Sequence, residues 1–133
     1  VVTFLWRSAG KPEPKTTVNP FQDVKKGRFY EKPVLWAYET GITIGMAATH
    51  FSPDSPCNRA QVVTFLHRFR GCPEPEITTA FPDVRSRDYY YKAVLWAAQR
   101  GITVGMDGGY FRPTLSCTRA QIVTFLYRDV KNP

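Results

Sequence analysis

Two arginines, Arg59 and Arg119, occupy the same place in a short pattern that occurs twice, 60 residues apart. The segments Asn58-Arg-Ala-Gln61 and Thr118-Arg-Ala-Gln121 each precede an apolar stretch, and both predict a capping box. In such a box the Asn or Thr side chain accepts from the backbone amide three residues on, and the Gln side chain accepts from the amide of the cap. Each arginine therefore stands in the first turn of a predicted helix.

A cation in the first turn of a helix loses about 0.3–1 kcal/mol to the helix dipole, so helix formation does not explain either arginine. A bound carboxylate or phosphate would contact both the guanidinium and the helix amides. The pattern predicts an anion site at Arg59 and Arg119. The alternative is an ion pair with Asp23, Asp83 or another carboxylate across a repeat boundary. Because exposed helix starts tolerate substitution, Ala at either arginine is expected to leave the fold largely intact.

The two patterns belong to a longer internal repeat. The pairs that share the offset of 60 are Phe21/Phe81, Asp23/Asp83, Trp36/Trp96, Gly41/Gly101, Gly45/Gly105, Arg59/Arg119 and Phe65/Phe125. The sequence predicts two complete repeats, at 18–76 and 77–133. Residues 1–7 restate 62–68 except for one position, so 1–17 are predicted to hold the closing helix of an earlier repeat and a linker. Pro-Glu-Pro occurs at 12–14, after residues 1–7, and again at 73–75, after residues 62–68, and it ends the closing helix in both places.

Each repeat contains a predicted helix-loop-helix. Apolar residues at spacings of three and four predict opening helices over Tyr30–Thr40 and Tyr90–Arg100, each ended by a left-handed glycine at 41 or 101. A short extended piece follows at 42–45 and 102–105, and the closing helices begin at the capping boxes with a broad apolar stripe. One repeat is too small to bury that stripe, so neighbouring repeats are expected to share a core. The predicted class is mainly α, built from tandem repeats.

Other repeated residues allow two interpretations. Asp23 and Asp83 lie in Phe-x-Asp-Val loops, where a short acceptor folds back on neighbouring amides. Gly45 and Gly105 each either let a sugar approach the backbone closely or supply a left-handed turn. The tryptophans at 36 and 96 could stack on a sugar, but tryptophan at helical spacing beside Val and Leu indicates core.

The composition narrows the function classes. The chain has 133 residues, 43% of them apolar, and no apolar run of the roughly 20 residues that span a bilayer. These values exclude a disordered or membrane-spanning chain. The net charge of +7 favours anionic partners, but the basic residues are spread, which argues against a nucleic-acid binder. No catalytic triad or phosphate loop is repeated, so neither an enzyme nor a cofactor is expected.

Three cysteines, Cys57, Cys72 and Cys117, cannot all pair within one chain, and none has CxxC spacing. The preferred interpretation is small, half-buried thiols, because the ligand number and spacing are wrong for zinc. No metal site is predicted. The apolar start at 1–7 lacks the flanks of a secretion signal.

These motifs resemble the S-layer homology (SLH) family. Five motifs carry the resemblance, in the same order in both repeats: Phe-x-Asp-Val, the helix at 93–97, Gly-Ile-Thr-Val-Gly at 101–105, Phe111-x-Pro113, and the Thr-Arg-Ala-Gln box. The resemblance implies a pseudo-threefold bundle, incomplete here, that tethers extracellular proteins to the wall of Gram-positive bacteria. It also implies an anionic secondary cell-wall polysaccharide as partner, often bearing a pyruvate ketal, in grooves between repeats. The sequence departs from the family in having Gln for the usual Glu of the box and in lacking most of a first repeat.

The residues and the resemblance together predict the ligand-contacting set Arg59, Arg119, Asn58, Thr118, Gly45, Gly105, Asp23, Asp83, Gln61 and Gln121. The alternative function is a protein-interaction or lattice-assembly module that binds no glycan. The apolar face of 1–7 is expected to pack on the helix around Val34 to Tyr38. The incomplete array is expected to expose Phe125, Leu126 and the helix around Leu95, and so to favour self-association.

Overall fold

The computed structural model describes residues 1–16, 18–43, 51 and 56–131, and its regular elements are helices. They are α1 (Val2–Ser8), α2 (Glu31–Glu39), α3 (Arg59–Phe69), α4 (Tyr91–Gln99) and α5 (Arg119–Lys131), with a 3-10 turn at Asp107–Gly109. The described residues contain one isolated antiparallel bridge and no strand. The predicted mainly α class is confirmed. None of the helices in these ranges is long and apolar enough to cross a bilayer.

The chain divides into two compact units, Val1–Ser55 and Pro56–Pro133. In the first unit α1 packs on α2, and in the second α3 packs on α4 and also contacts α5. The predicted packing of the 1–7 helix on the helix around Val34 is therefore confirmed. The pairs α1–α2 and α3–α4 each join a closing helix to the opening helix that follows it in the sequence, whereas α3 and α5 are both closing helices.

The opening helices end as the sequence predicts. Gly41 and Gly101 have φ of 80° and 71°. After them the amides of Ile42 and Ile102 each donate over 2.8 Å to the carbonyl of an alanine in the last turn. This is the Schellman arrangement, in which the residue after the glycine closes the helix end. Ile42 and Ile102 are both buried, so the helix end is also tied to the core.

The two capping boxes are confirmed. The Gln61 amide donates to Asn58 Oδ1 over 2.8 Å, and the Asn58 amide donates to Gln61 Oε1 over 2.8 Å. At α5 the amide of Gln121 donates to Thr118 Oγ1 over 3.1 Å, and the amide of Thr118 donates to Gln121 Oε1 over 2.9 Å. Gln therefore serves in both boxes as the acceptor that the reciprocal cap needs.

Trp36 and Trp96 lie in the core, with 7% and 3% of their surfaces exposed. Their predicted assignment to the core rather than to a sugar-stacking surface is confirmed. The ring of Trp96 lies 5.3 Å from that of His67, whose Nε2 is 2.8 Å from the carbonyl oxygen of Pro73 in the connector. His67 thus attaches the connector that follows α3 to the core of the second unit.

Two expectations about local structure are wrong. The carboxylate of Asp83 accepts from the Phe111 amide, 28 residues further along, rather than from an amide of its own turn, and that of Asp23 accepts from the Phe51 amide at the same separation. Within the first loop, Asn19 Oδ1 accepts from the Phe21 amide over 2.9 Å. The aspartates instead join the start of each repeat to the loop before its closing helix.

The expected exposure of Phe125 and Leu95 is also wrong. Phe125 is 3% exposed and Leu95 is 1% exposed, while Leu126 is intermediate. The large apolar side chains that α5 exposes are Val123, Tyr127 and Val130, which share one helix face. Self-association stays a prediction, and it now concerns this face.

Removing a cap tests the helix starts. Asn58→Ala and Thr118→Ala should each lower the free energy of unfolding by about 1 kcal/mol, because each leaves a first-turn amide without its acceptor. Chemical denaturation measures the change. Asn58→Asp and Thr118→Ser keep a capping oxygen and should stay within about 0.5 kcal/mol of the parent. Equal stability of the Ala and conservative variants would contradict the capping role.

Candidate functional site

Arg59 lies inside the second unit, with only 5% of its surface exposed. Its Nε donates to the carbonyl oxygen of Phe111 over 2.7 Å, and its Nη2 donates to Thr103 Oγ1 over 3.3 Å. The guanidinium carbon also lies 4.7 Å from the ring centroid of Phe111 and 5.3 Å from that of Phe125. Hydrogen bonds and aromatic faces together offset the cost of burying the charge.

The first backbone amides of α3 also donate hydrogen bonds to carbonyls of the next repeat. The Arg59 amide donates to the Leu115 carbonyl over 2.9 Å, and the Ala60 amide donates to the Pro113 carbonyl over 3.0 Å. These are donors that a helix leaves without internal partners and that would otherwise attract an anion. At α3 the loop at 113–115 therefore takes the place that the sequence assigned to a ligand.

The expectation that Arg59 stands at an exposed helix start is wrong for this reason. Burial lowers the pKa of the Arg59 guanidinium, and the nearby Arg128 lowers it further, while Cys117 and Asp83 oppose the decrease. The Asp83 carboxylate acts on Arg59 through its field, and the hydrogen bonds that it accepts come from the Phe111 and Arg112 amides. The expected ion pair between an arginine and an aspartate across the repeat boundary is replaced by a carbonyl, a hydroxyl and two rings.

Arg119 occupies the equivalent place at the start of α5 and is exposed, as are Thr118 and Ala120. The contrast continues along the helix face. In α3, Val63 and His67 are 0% and 7% exposed, whereas their counterparts Val123 and Tyr127 are 51% and 59% exposed. The same face is thus a packed interface in one closing helix and a solvent-facing surface in the other. Two arginines with one sequence context have different environments.

The loop before α5 is held by Asp83 and a glycine. Asp83 accepts from the Phe111 amide over 2.9 Å and from the Arg112 amide over 2.8 Å, which fixes Arg112 at a φ of +60°. Gly105 has a φ of +83°, and a Cβ placed there would lie 2.6 Å from Phe81 Cε1. The left-handed turn proposed for Gly105 is therefore present, and its lack of a side chain is required by Phe81.

The structure brings several of the predicted residues into one region of the second unit. Asn58 lies opposite Ser116 in the antiparallel bridge, two residues from Thr118, and Arg59 contacts the loop that Asp83 and Gly105 shape. Asp23 lies in the first unit. Gly45 falls outside the described residues, as does most of the turn around it. Whether any of these residues contacts a ligand stays a prediction.

Three residues of this region lie outside the ligand-contacting set that the sequence predicts: Thr103, Phe111 and Arg128. Thr103 is buried and accepts from Arg59, and the Nη1 of Arg128 donates to the Ile102 carbonyl over 3.2 Å. A signal for Thr103 was present, because Thr43 repeats it and is also buried. Arg128 has a counterpart in Arg68 but no spacing that marks it as a contact of the opening helix end.

The family comparison agrees with this arrangement of repeats. The S-layer homology domain matches residues 20–63 and residues 80–123. The two matches begin at the Phe-x-Asp-Val loops and end within α3 and α5, so they contain both capping boxes. The chain belongs to the S-layer homology domain family.

The SLH relatives are long surface proteins and enzymes. The chain is 32% identical to an endoglucanase of Bacillus sp. (strain KSM-635) over 91% of its own length but 13% of that protein. It is 31% identical to a cell surface protein of Thermoanaerobacter kivui over 82% of this chain and 15% of that protein. It is also 29% identical to a surface layer protein of Brevibacillus choshinensis over 85% of this chain and 10% of that protein. The chain thus spans less than a sixth of each.

Membership in the SLH family establishes the general role. SLH domains are non-catalytic anchoring modules that bind cell-wall polymers, so this chain acts in anchoring at the extracellular cell surface or wall. The glucanase activity in one relative's name belongs to that protein, of which the SLH part is a small fraction.

The different environments of the two arginines predict different effects on stability. Arg59→Ala should lower the free energy of unfolding by about 2–4 kcal/mol, because it leaves the buried Phe111 carbonyl without a donor and removes packing between two rings. Arg119→Ala is the matched control and should change it by less than about 0.5 kcal/mol. Chemical denaturation of the two variants measures both changes in the free energy of unfolding. Equal decreases would show that Arg59 is not a structural contact.

Gly105 and Gly109 form a second matched pair. Both have a positive φ, but no atom lies within 4 Å of a Cβ built on Gly109. Gly109→Ala should cost about 1 kcal/mol through its backbone conformation alone. Gly105→Ala carries the same backbone cost and also displaces the ring of Phe81, so it should cost at least about 2 kcal/mol more. Thermal or chemical unfolding measures both. A similar loss in the two variants would mean that the contact with Phe81 is easily relieved.

Proposed function

We propose that this SLH chain anchors its protein non-covalently by binding an anionic secondary cell-wall polysaccharide, with the exposed start of α5 as the ligand-contacting end. The observation that carries the proposal is Arg119: a cation in an exposed first turn, where the helix dipole opposes it and an anion would be favoured. A carboxylate on the polysaccharide, such as that of a pyruvate ketal, would accept hydrogen bonds from the guanidinium in a fork geometry.

Within this proposal the predicted ligand residues have separate roles. Arg119 and Thr118 are assigned to ligand contact, because both are exposed. Arg59 is assigned to positioning, because its donors are directed at Phe111 and Thr103. Asp83 and Gly105 shape the same loop. Asn58, Gln61 and Gln121 are assigned to the caps, in which their side chains already act as acceptors.

The Gln of each box also bears on the ligand's charge. A glutamate in the place of Gln121 would put a carboxylate beside Arg119, whereas Gln121 itself keeps the hydrogen bond to the Thr118 amide without adding a negative charge. A neutral cap leaves the positive potential of the helix start undiminished. This supports an anionic rather than a neutral glycan.

Binding to purified cell walls tests the proposal. Arg119→Ala should weaken binding at least about tenfold, as expected for the loss of one charge-assisted hydrogen bond. Arg87→Ala is the matched control, because it removes an exposed arginine of the same repeat and the same unit of charge. It should change binding by less than about twofold, and binding of the parent should weaken as salt is raised.

The wall preparation decides between the two functions. Walls from which the secondary polysaccharide has been removed chemically should bind neither the parent nor the variants. Undiminished binding to stripped walls, with equal affinity of parent and Arg119→Ala, would overturn the proposal. It would favour the alternative of a protein-interaction or lattice-assembly module.

A further inference from the structure

Two of the three cysteines face each other across the bridge between the two repeats. Asn58 is paired with Ser116 in an antiparallel bridge, which the amides of Cys117 and Arg59 close by donating to Cys57 and Leu115 over 2.8 and 2.9 Å. In this register Cys57 stands directly opposite Cys117. Directly opposed residues project their side chains onto the same face of the pair.

The spacing of such a pair suits a covalent link. Opposed residues at the hydrogen-bonded position of an antiparallel pair have Cα atoms about 5.5 Å apart, and disulfides join Cα atoms about 4.4–6.8 Å apart. Both thiols are partly exposed, so an oxidant can reach them. The structure holds both residues as free thiols.

We propose that Cys57 and Cys117 are a disulfide site, at which oxidation ties the segment before α3 to the segment before α5. The link would close a loop from residue 57 to residue 117, which contains α3, the connector and α4 but not α5. It would also fix the bridge that supports both capping boxes. The inference goes beyond anchoring and is independent of which wall polymer is bound.

The third cysteine, Cys72, lies in a different environment. Cys72 is exposed and follows the end of α3, whereas Cys57 precedes its start. The 11 residues of α3 separate the two by about 16 Å, which no disulfide can span. Cys117 is adjacent to Cys57 and is excluded as a partner of Cys72 by the same distance. Cys57 and Cys117 are therefore the one pair that a disulfide could join, and Cys72 is not part of it.

The chemistry is thiol–disulfide exchange with a small or protein disulfide as oxidant. One cysteine thiolate attacks a sulfur of that disulfide, forms a mixed disulfide and releases one thiolate. The second cysteine thiolate then attacks the protein sulfur of the mixed disulfide and releases the other. The protein dithiol loses two electrons and two protons, and the oxidant becomes two thiols. A cell-surface protein encounters such oxidants, because its compartment lacks the reductants of the cytosol.

The surroundings of the thiols set the rate of this exchange. Burial raises the pKa of both, and at Cys117 the Arg59 guanidinium opposes that rise while Cys57 adds to it. The mutual effect of the two thiols agrees with their opposed positions. Raised pKa values leave less thiolate at neutral pH, so exchange should be slow at pH 7 and faster at about pH 8.5.

Peptide mapping of the full chain tests the site. The chain is incubated with oxidised glutathione at about pH 8.5, alkylated and digested with trypsin, which leaves each cysteine in a different peptide. We expect one species that links the peptides of Cys57 and Cys117 in a monomeric chain, with Cys72 as a glutathione adduct or alkylated. The matched control Cys72→Ser should give the same link, and Cys57→Ser should give none.

Thermal unfolding gives an independent readout. Oxidised Cys72→Ser should melt about 10 °C higher than the same protein after reduction, because the link constrains the unfolded chain. Cys57→Ser should melt at the same temperature in both states. The proposal is overturned by three unlinked cysteines after oxidation, by a link that involves Cys72, by links found only between chains, or by an oxidised form that melts no higher than the reduced form.

Discussion

The second unit depends on one buried cation. The guanidinium of Arg59 joins the start of α3 to the carbonyl of Phe111, the hydroxyl of Thr103 and the ring of Phe125 on α5. A buried arginine is favourable only when its donors are directed at acceptors, and these acceptors come from the following repeat. The charge therefore fixes the position of the following repeat more specifically than apolar contact alone would. The loop at 113–115 then covers the α3 amides.

One sequence motif consequently serves two purposes in this chain. Where the next repeat covers the helix start, the arginine is a structural contact, and its helix face is buried through Val63 and His67. At α5 the motif is exposed with its arginine. At α3 the cost of placing a cation at a helix start is offset by protein acceptors, and in the proposed function an anionic ligand adds to the stabilisation of the cation at α5.

The features that could be predicted from the sequence are those set by neighbouring residues. The capping boxes, the glycine-ended helices at 41 and 101 and the core tryptophans each follow from residues within one helix and its flanks. The burial of Arg59 could not be predicted, because its acceptors lie 44 and 52 residues away. The same holds for Asp83, which sequence logic assigned to a local turn and which holds a loop 28 residues on. The residue types showed that the Arg59 guanidinium needs an acceptor, but they did not show which acceptor the fold places next to it.

The division of roles between the two arginines is most directly tested by an NMR titration of the full chain with the purified wall polysaccharide, observing the guanidinium Nε–H signals. The Arg119 signal should shift progressively with added polysaccharide. The Arg59 signal should keep its position and its slow exchange with water, because its Nε–H is donated to the Phe111 carbonyl throughout. A shift at Arg59 with none at Arg119 would contradict this division of roles between the two arginines.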